Sequence, residues 1–448
     1  MATISALGIG SGLDLNGLLD QLQAAEQEKL VPIINNKRSF ESKISAYGQL
    51  TSSLSSLQSS VTKLSSGTLF DAVKSTVSGT ALTAAASAGT PLGNYEVNVT
   101  QLARAYSVAT TGIADKGTNL GAGTVTIGLA NGDSFTVTVG SEDSSLEAIR
   151  DGINAQNAGV SASIVNDGSG TPYRLSLVSR ETGAEAAISS VDFGDLSASL
   201  ALDATTEVSA LNATATINGI DIVSQSNQLN DVIEGMTLIL AEEGSASVAV
   251  TSNTETITNA VGDFVSAYNK LQEKIANLTS YDAETGVAGE LLGDNTMRTV
   301  ELRLRNVLAE GMPGGELSML SDLGISLQLD GSLAIDDEAL SELTSSNLSG
   351  LANFFAGVDG EKGLADKLGN SLEQMLKDNG LLDISTDGLE NRIERLDDRY
   401  DRVQKSISAT IARYQAQFSQ LDSTIGRMNS TSAYIAQQFD ILNAQLNQ

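Results

Sequence analysis

From Gly388 to the end of the chain there is no proline, and apolar or aromatic residues recur at Leu389, Ile393, Leu396, Tyr400, Val403 and Ile407, then at Ile411, Tyr414, Phe418, Leu421, Ile425 and Met428, then at Ile435, Phe439, Leu442 and Leu446. The spacing alternates four and three, with Ser432 at one seam position, which is the heptad pattern of a helix that buries a narrow stripe. The step from Ile407 to Ile411 inserts an extra four, a stutter that locally unwinds a supercoil. A continuous helix of about 60 residues at ~1.5 Å rise is a rod of roughly 90 Å, too long for the interior of one globular domain. The N-terminal segment mirrors it, with Leu15, Leu18 and Leu22 before Pro32, then Ile33, Lys37, Phe40, Ile44, Tyr47, Leu50, Leu54, Leu57, Val61 and Leu64. Pro32 lacks a backbone donor, so two helices are expected to meet there, the second with Pro32 in its first turn. Two stripes at opposite ends of a chain, neither able to bury itself, most simply pack against each other.

Between these ends the period changes. Val125, Ile127 and Leu129, then Asn131-Gly132, then Phe135, Val137 and Val139 predict a hairpin, and Ile325, Leu327 and Leu329, Asp330-Gly331, Leu333 and Ile335 repeat that logic. Further strands are expected at 95–102, 160–166, 173–179, 215–223, 236–241 and 246–251. Residues 253–310 return to helix, with Ile257, Val261, Phe264, Val265, Tyr268, Leu271 and Ile275 on one stripe and Met297 to Leu308 on another. The fold class is therefore a multidomain α+β chain: a long helical coiled-coil or bundle leg formed by both termini, with two inserted antiparallel β head domains. The expected division is terminal arms at 1–40 and 426–448, a helix bundle with a β-hairpin at 41–70 and 253–425, one β domain at 71–110 and 205–252, and a second, inserted in the first, at 111–204.

Charge sharpens this division. Residues 1–66 carry 5 acids and 5 bases, residues 67–382 carry 41 and 14, and residues 383–448 carry 9 and 7, so nearly all of the net -29 lies in the middle. An acidic middle is solvated and self-repelling, whereas near-neutral ends can pack against copies of themselves. The same charge opposes phosphate backbones and anionic lipid, so neither nucleic acid nor membrane insertion is expected. With no His, Cys or Trp in 448 residues, imidazole and thiolate chemistry and the usual zinc, haem and iron–sulfur ligands are excluded, and no cofactor is expected. The first positive charge is Lys29, so no basic region precedes an apolar core of a secretory signal. Absence of cysteine fits both a reducing cytosol and export in an unfolded state.

Three local motifs bear on chemistry. Gly8-Ile9-Gly10-Ser11-Gly12-Leu13-Asp14 suggests a nucleotide loop, but Leu13 stands where a third glycine belongs; the plainer reading is a flexible cap with Asp14 accepting the first amides of a helix. Asp383, Ser385, Asp387, Gly388 and Glu394 match a calcium-loop spacing, yet Glu390 stands where a branched apolar residue belongs, and a turn capping the C-terminal helix accounts for them. Paired carboxylates such as Asp397-Asp398 or Asp336-Asp337-Glu338 could serve a glycosidase, but 55 acids make adjacency inevitable.

Read from end to end, the sequence resembles the flagellar hook-associated protein 2 family, the filament cap proteins of bacterial flagella. The resemblance rests on Gly10-Ser11-Gly12-Leu13-Asp14 with Leu22, Glu26 and Lys29, on Gly93-Asn94-Tyr95-Glu96-Val97 through Gln101-Leu102-Ala103, and on Asn218-Gly219 through Gly235-Met236-Thr237-Leu238. It continues through Phe264-Val265-Ser266-Ala267-Tyr268-Asn269, Leu292-Gly293-Asp294, Leu323-Gly324-Ile325 and Gly331-Ser332-Leu333, and 149–177 resembles a small β repeat of flagellins and hook-associated proteins. The resemblance implies no enzymatic activity and a homo-oligomeric ring at the extracellular filament tip that promotes flagellin insertion and prevents flagellin loss. It implies as partners flagellin, the hook-filament junction protein, a cytoplasmic export chaperone and the flagellar type III export apparatus. A surface adhesin using the β head is the alternative from the binding class, and a carboxylate glycosidase the alternative from the enzyme class. The residues expected to carry assembly are the helical seams: Leu18, Leu22, Phe40, Ile44, Leu54 and Leu57 near the N-terminus, and Leu396, Val403, Ile407, Tyr414, Phe418, Leu421, Ile425, Ile435, Phe439 and Leu442 near the C-terminus.

Overall fold

In the computed structural model the chain divides into two compact units, Met1–Ser66 with Asn259–Gln448, and Gly67–Thr258. The structure describes residues 7–312, 316–358 and 360–446; positions 1–6 and 447–448 of the expected arms, and the Leu446 side chain of the stripe, lie outside the described residues.

The first unit is helical. Helices α1 (Leu15–Gln27) and α2 (Val31–Leu64) are joined by one 3-10 turn, Glu28–Leu30, with Pro32 in the first turn of α2, where its missing donor has no intrahelical partner to lose. Two helices belong to the second unit, α3 (Gly67–Phe70) and α4 (Leu146–Gln156). The chain returns through α5 (Thr254–Thr279), α6 (Asn295–Ala309), α7 (Asp337–Ser346), α8 (Leu348–Ala356) and α9 (Leu364–Leu376), and ends in α10 (Leu381–Leu446), a single helix of 66 residues. The core of this unit is built from heptad-spaced Leu50, Leu54, Leu57, Val61 and Leu64 of α2, together with Phe264 and Leu271 of α5, Val300 and Leu304 of α6, and Leu368 and Leu372 of α9, each at most 1% exposed. Phe264, Phe354 and Phe355 interlock edge-to-face, with centroids 6.4 Å apart between Phe264 and Phe355 and 5.2 Å between Phe354 and Phe355. The hairpin Ile325–Leu327 with Leu333–Ile335 belongs to this unit too.

The second unit holds two β cores. One packs a five-stranded antiparallel sheet, in the order Val73–Ser78, Gly244–Ser252, Gly93–Gln101, Ala213–Ile217 and Ile220–Ser224, on a three-stranded sheet of Gln228–Ile233, Met236–Leu240 and Leu82–Ala86. The other packs α4 with a four-stranded sheet, Leu202–Val208, Ser107–Thr110, Tyr173–Ser179 and Val160–Asn166, and a three-stranded sheet, Ser134–Val139, Gly123–Leu129 and Ile188–Asp192. Alternation is strict where it matters, since Val125, Ile127, Leu175 and Leu177 are fully buried while their neighbours face outward.

Both turn-flanked hairpins form, and with the same geometry. Leu129 donates to Asp133 at 2.8 Å and Gly132 to Leu129 at 3.1 Å, and Gln328 donates to Ser332 at 2.8 Å and Gly331 to Gln328 at 3.1 Å. Each is a three-residue loop with a positive-φ glycine (94° at Gly132, 86° at Gly331), the type I turn with a glycine bulge. Three readings are corrected. The strand expected at 215–223 is itself a hairpin, Ile217 pairing with Ile220 across Asn218-Gly219, whose φ values of 49° and 81° make the two-residue turn that both residues favour. Residues 149–156, read only as part of a β repeat, belong to α4, which starts at Leu146, is capped by Ser145 and buries Leu146, Ile149 and Ile153 completely. The last helix begins at Leu381, not after Gly388.

One polar clamp closes the second β core. The Arg174 guanidinium donates from Nε to Asp167 at 2.6 Å and from Nη1 to Asp203 at 2.9 Å and to the Thr110 carbonyl at 3.2 Å. That bond, aided by Ser169, pulls the Asp167 carboxyl from its ordinary 3.8 to about 2, and hydrogen bonds from Thr205, with Arg174 behind them, lower Asp203.

Two outcomes are expected. Leu54→Ala, at a site of zero exposure, should cost the first unit about 2–5 kcal/mol in chemical denaturation of dilute protein, whereas Ile435→Ala, at 48% exposure, should stay within about 0.5 kcal/mol. A depressed carboxylate stabilises above its unfolded pKa and ceases to as pH falls through its folded value. Asp167 should therefore titrate by NMR near pH 2, its contribution fading between the ordinary 3.8 and about 2, and Arg174→Gln should return that midpoint toward 3.8.

Candidate functional site

The two terminal stripes meet along α10 in the first unit. The chain begins its described part with a glycine loop. Gly8 has φ 103° and Gly12 φ 74°, values that only glycine adopts freely, and the Gly12 amide donates to the Gly8 carbonyl at 2.8 Å. Asp14 then caps α1 by accepting the Gly17 amide at 2.9 Å, the role its spacing suggested. The loop is also fastened to the other end of the chain: Asp422 of α10 accepts from the Ser11 amide at 2.7 Å, the Ser11 hydroxyl at 2.5 Å and the Gly10 amide at 3.3 Å. The Ser11 hydroxyl, followed by these amides, lowers the Asp422 pKa.

From there α1 and α2 run antiparallel along α10. Lys37 reaches Asp397 at 2.7 Å, a hydrogen bond that raises the Lys37 pKa, and Arg392 lies over the Phe40 ring at 5.8 Å. Lys37, read as an apolar-stripe position, thus bridges the two helices through its ammonium. Tyr47 is buried beside Asp294, Thr296 and Ser385, and burial pushes its phenol up to about 12.

The sixteen seam residues fall into three groups. Leu54 and Leu57 are fully buried, but they lie about two and three turns beyond Tyr47, which already faces the first turns of α10, so they belong to the bundle core. Leu22, Phe40 and Ile44 on α1 and α2, and Leu396, Val403, Ile407, Tyr414, Phe418 and Ile425 on α10, are half-buried or, at Ile407, buried at 4%, with Tyr414 and Phe418 stacked at 6.4 Å. Leu18, Leu421, Ile435, Phe439 and Leu442 are exposed. The N-terminal arm covers α10 only as far as Gly426; every described side chain from Arg427 to Asn443 is exposed, including Met428 at 66% and Phe439 at 61%. This segment carries one base, Arg427, and one acid, Asp440.

The other candidates resolve without a ligand. Asp383 to Glu394 lie inside α10, where a helix turns successive loop positions to different sides, and Asp383 instead accepts the Asn379 amide at 2.7 Å. Asp336 caps α7 through the Ala339 amide at 3.1 Å. Among the described residues no three acids converge as a metal site, and no helix is long and apolar enough to cross a membrane. Sequence reasoning missed Asp422 and Gly426. The available signal was a helical glycine four residues after an acid, directly beside the stripe positions Leu421 and Ile425.

Comparison with known proteins supplies the context for this geometry. Family models described as the flagellar hook-associated protein 2 N-terminus and C-terminus match residues 11–106 and 210–430, and the flagellin hook IN motif matches residues 115–181. The flagellar hook-associated protein 2 of Escherichia coli (strain K12) is 36% identical over 463 residues, covering 98% of this chain and 99% of its own. That of Salmonella typhimurium is 34% identical over 470 residues, covering 99% and 100%. A crystal structure of the D1-D2-D3 domains of the flagellar cap protein from Escherichia coli matches with a TM-score of 0.67 at 33% identity, over 77% of this chain and 99% of that one. Two terminal helical stripes around inserted antiparallel β domains, and this likeness over nearly the whole length, lead to one conclusion: the chain belongs to the flagellar hook-associated protein 2 family, structural cap proteins of the bacterial flagellum and not enzymes.

Proposed function

We propose that this protein caps the distal tip of the flagellar filament outside the cell as a ring of identical copies, and that the ring guides exported flagellin into place and prevents its loss. In this reading the chain leaves the cytoplasm through the flagellar type III apparatus, escorted by a chaperone, and the ring follows the hook-filament junction protein onto the growing structure. The observation that carries the reading is the uncovered end of α10. Met428, Ile435, Phe439 and Leu442 continue the heptad stripe that the chain's own N-terminal arm covers further back, and each is worth about 1.5–3 kcal/mol if a partner buries it fully. A second copy is the occupant this stripe fits, because residues 427–443 are neutral in a chain of net charge -29, so that apolar contact is made where copies repel least. Family models that match from residue 11 in the N-terminal arm and up to residue 430 in α10 support the same role.

In a strain lacking this protein, filaments should be absent and unpolymerised flagellin should appear in the medium; the wild-type gene should restore filaments. The variant Ile435→Arg with Phe439→Arg should fold with unchanged thermal stability yet fail to restore them. Normal filaments with only weakened surface attachment would replace capping by adhesion. Salt provides a second check. The screening length is ~30 Å at 0.01 M and ~8 Å at 0.15 M, so adding salt should shift purified protein toward larger species in sedimentation. Dissociation on adding salt would assign the interface to ion pairs instead.

A further inference from the structure

A heptad stripe by itself sets register weakly. Sliding one helix past another by seven residues, about 10 Å, offers the same kind of apolar position to the same partner, so packing along α10 leaves neighbouring registers close in energy. The junction at the tip of the N-terminal arm has no such degeneracy. Three donors of Gly10 and Ser11 converge on one carboxylate, Asp422, and charge-assisted bonds of this kind are about twice as strong as neutral ones. The backbones also approach closely here. A Cβ on Gly10 would stand 3.1 Å from the Asp422 carbonyl oxygen, and one on Gly426 would stand 3.3 Å from the Gly10 Cα and carbonyl oxygen. Asp422 and Gly426, one helical turn apart, thus form a close seat for the Gly10-Ser11 loop, in which an added Cβ would press on its neighbour. In α10 the only glycines are Gly388 and Gly426, and the residue four before Gly388 is Ile384, so the acid-and-glycine pair occurs once.

We propose that this junction is a register latch: it fixes the N-terminal arm at one place on α10 and thereby sets where the self-covered helix ends and the face offered to a second copy begins. The inference rests on the assembly role proposed for the stripe beyond Gly426. Asp422 acts by positioning the arm and does not itself touch the second copy. A slip of one heptad toward the C-terminus would cover Met428 and its neighbours with the chain's own arm, and a slip the other way would uncover Phe418 and Ile425.

Hydrogen exchange and sedimentation of full-length variants test this. Asp422→Ala should speed exchange of residues 10–27 by about tenfold or more, the scale set by losing charge-assisted bonds, while the buried amides of 50–64 keep wild-type protection as proof of folding. Its assemblies should become heterogeneous in size. Gly426→Leu, which leaves the carboxylate in place, should do the same, and Asp422→Asn, still an acceptor, should recover part of both properties. Unchanged exchange at 10–27 in Asp422→Ala overturns the latch, as does faster exchange with wild-type sedimentation. The underlying assembly role fails separately, if Ile435→Arg with Phe439→Arg leaves sedimentation of the wild-type junction unchanged.

Discussion

A helix of 66 residues whose apolar face is only one stripe wide cannot bury that face on its own. That constraint shapes the whole first unit. The base of α10 is absorbed by the bundle, with Leu382 and Leu389 buried there. The middle is covered by α1 and the first half of α2, which leave most stripe residues half-buried rather than enclosed. The last turns, beyond Gly426, are left bare. A gradient from buried to exposed along one helix is what a protein needs if it must be folded before it assembles and still retain something to assemble with.

Polar contacts do different work in the two units. In the second β core, Arg174 ties Asp167, Asp203 and the Thr110 carbonyl together, joining parts of one small domain that already shares an apolar interior. In the first unit, Asp422 and the Lys37–Asp397 pair link residues separated by some 360 to 410 positions in sequence. Exposed ion pairs contribute little to stability. Their value here is geometric, because apolar stripes attract without choosing a register and a single converging carboxylate chooses one.

The placement of charge follows the same logic. The acidic residues crowd between 67 and 382, so like-charge repulsion is concentrated in the body of the chain and is weak at its ends. Membership of the flagellar cap proteins makes sense of such a division, with a solvated body and terminal helices that are nearly neutral. Within the second unit the two ends of the inserted segment lie side by side: Asn253 donates to the Ala72 carbonyl at 2.8 Å.

Periodicity alone determined much of this protein. Heptad spacing marked both terminal helices, Pro32 marked their break, and Asn-Gly and Asp-Gly between alternating runs marked two hairpins, because side-chain period and turn chemistry are local properties that survive any arrangement of the rest. Charge counting separated ends from middle for the same reason. Short amphipathic α4 was missed because three large apolar residues in eleven are too few to stand out within a β region, and the turn at Asn218-Gly219 was read through as strand because apolar residues flank it closely on both sides. Only the tertiary structure decided which seam residues are enclosed and which are bare, since Leu54 and Ile435 are both branched apolar residues on a heptad stripe and one is fully buried while the other is 48% exposed. Nor could spacing reveal the junction of Ser11 with Asp422, more than four hundred residues apart: a hydrogen bond between such positions depends on where the loop before α1 falls along α10, and that is settled by packing and not by pattern.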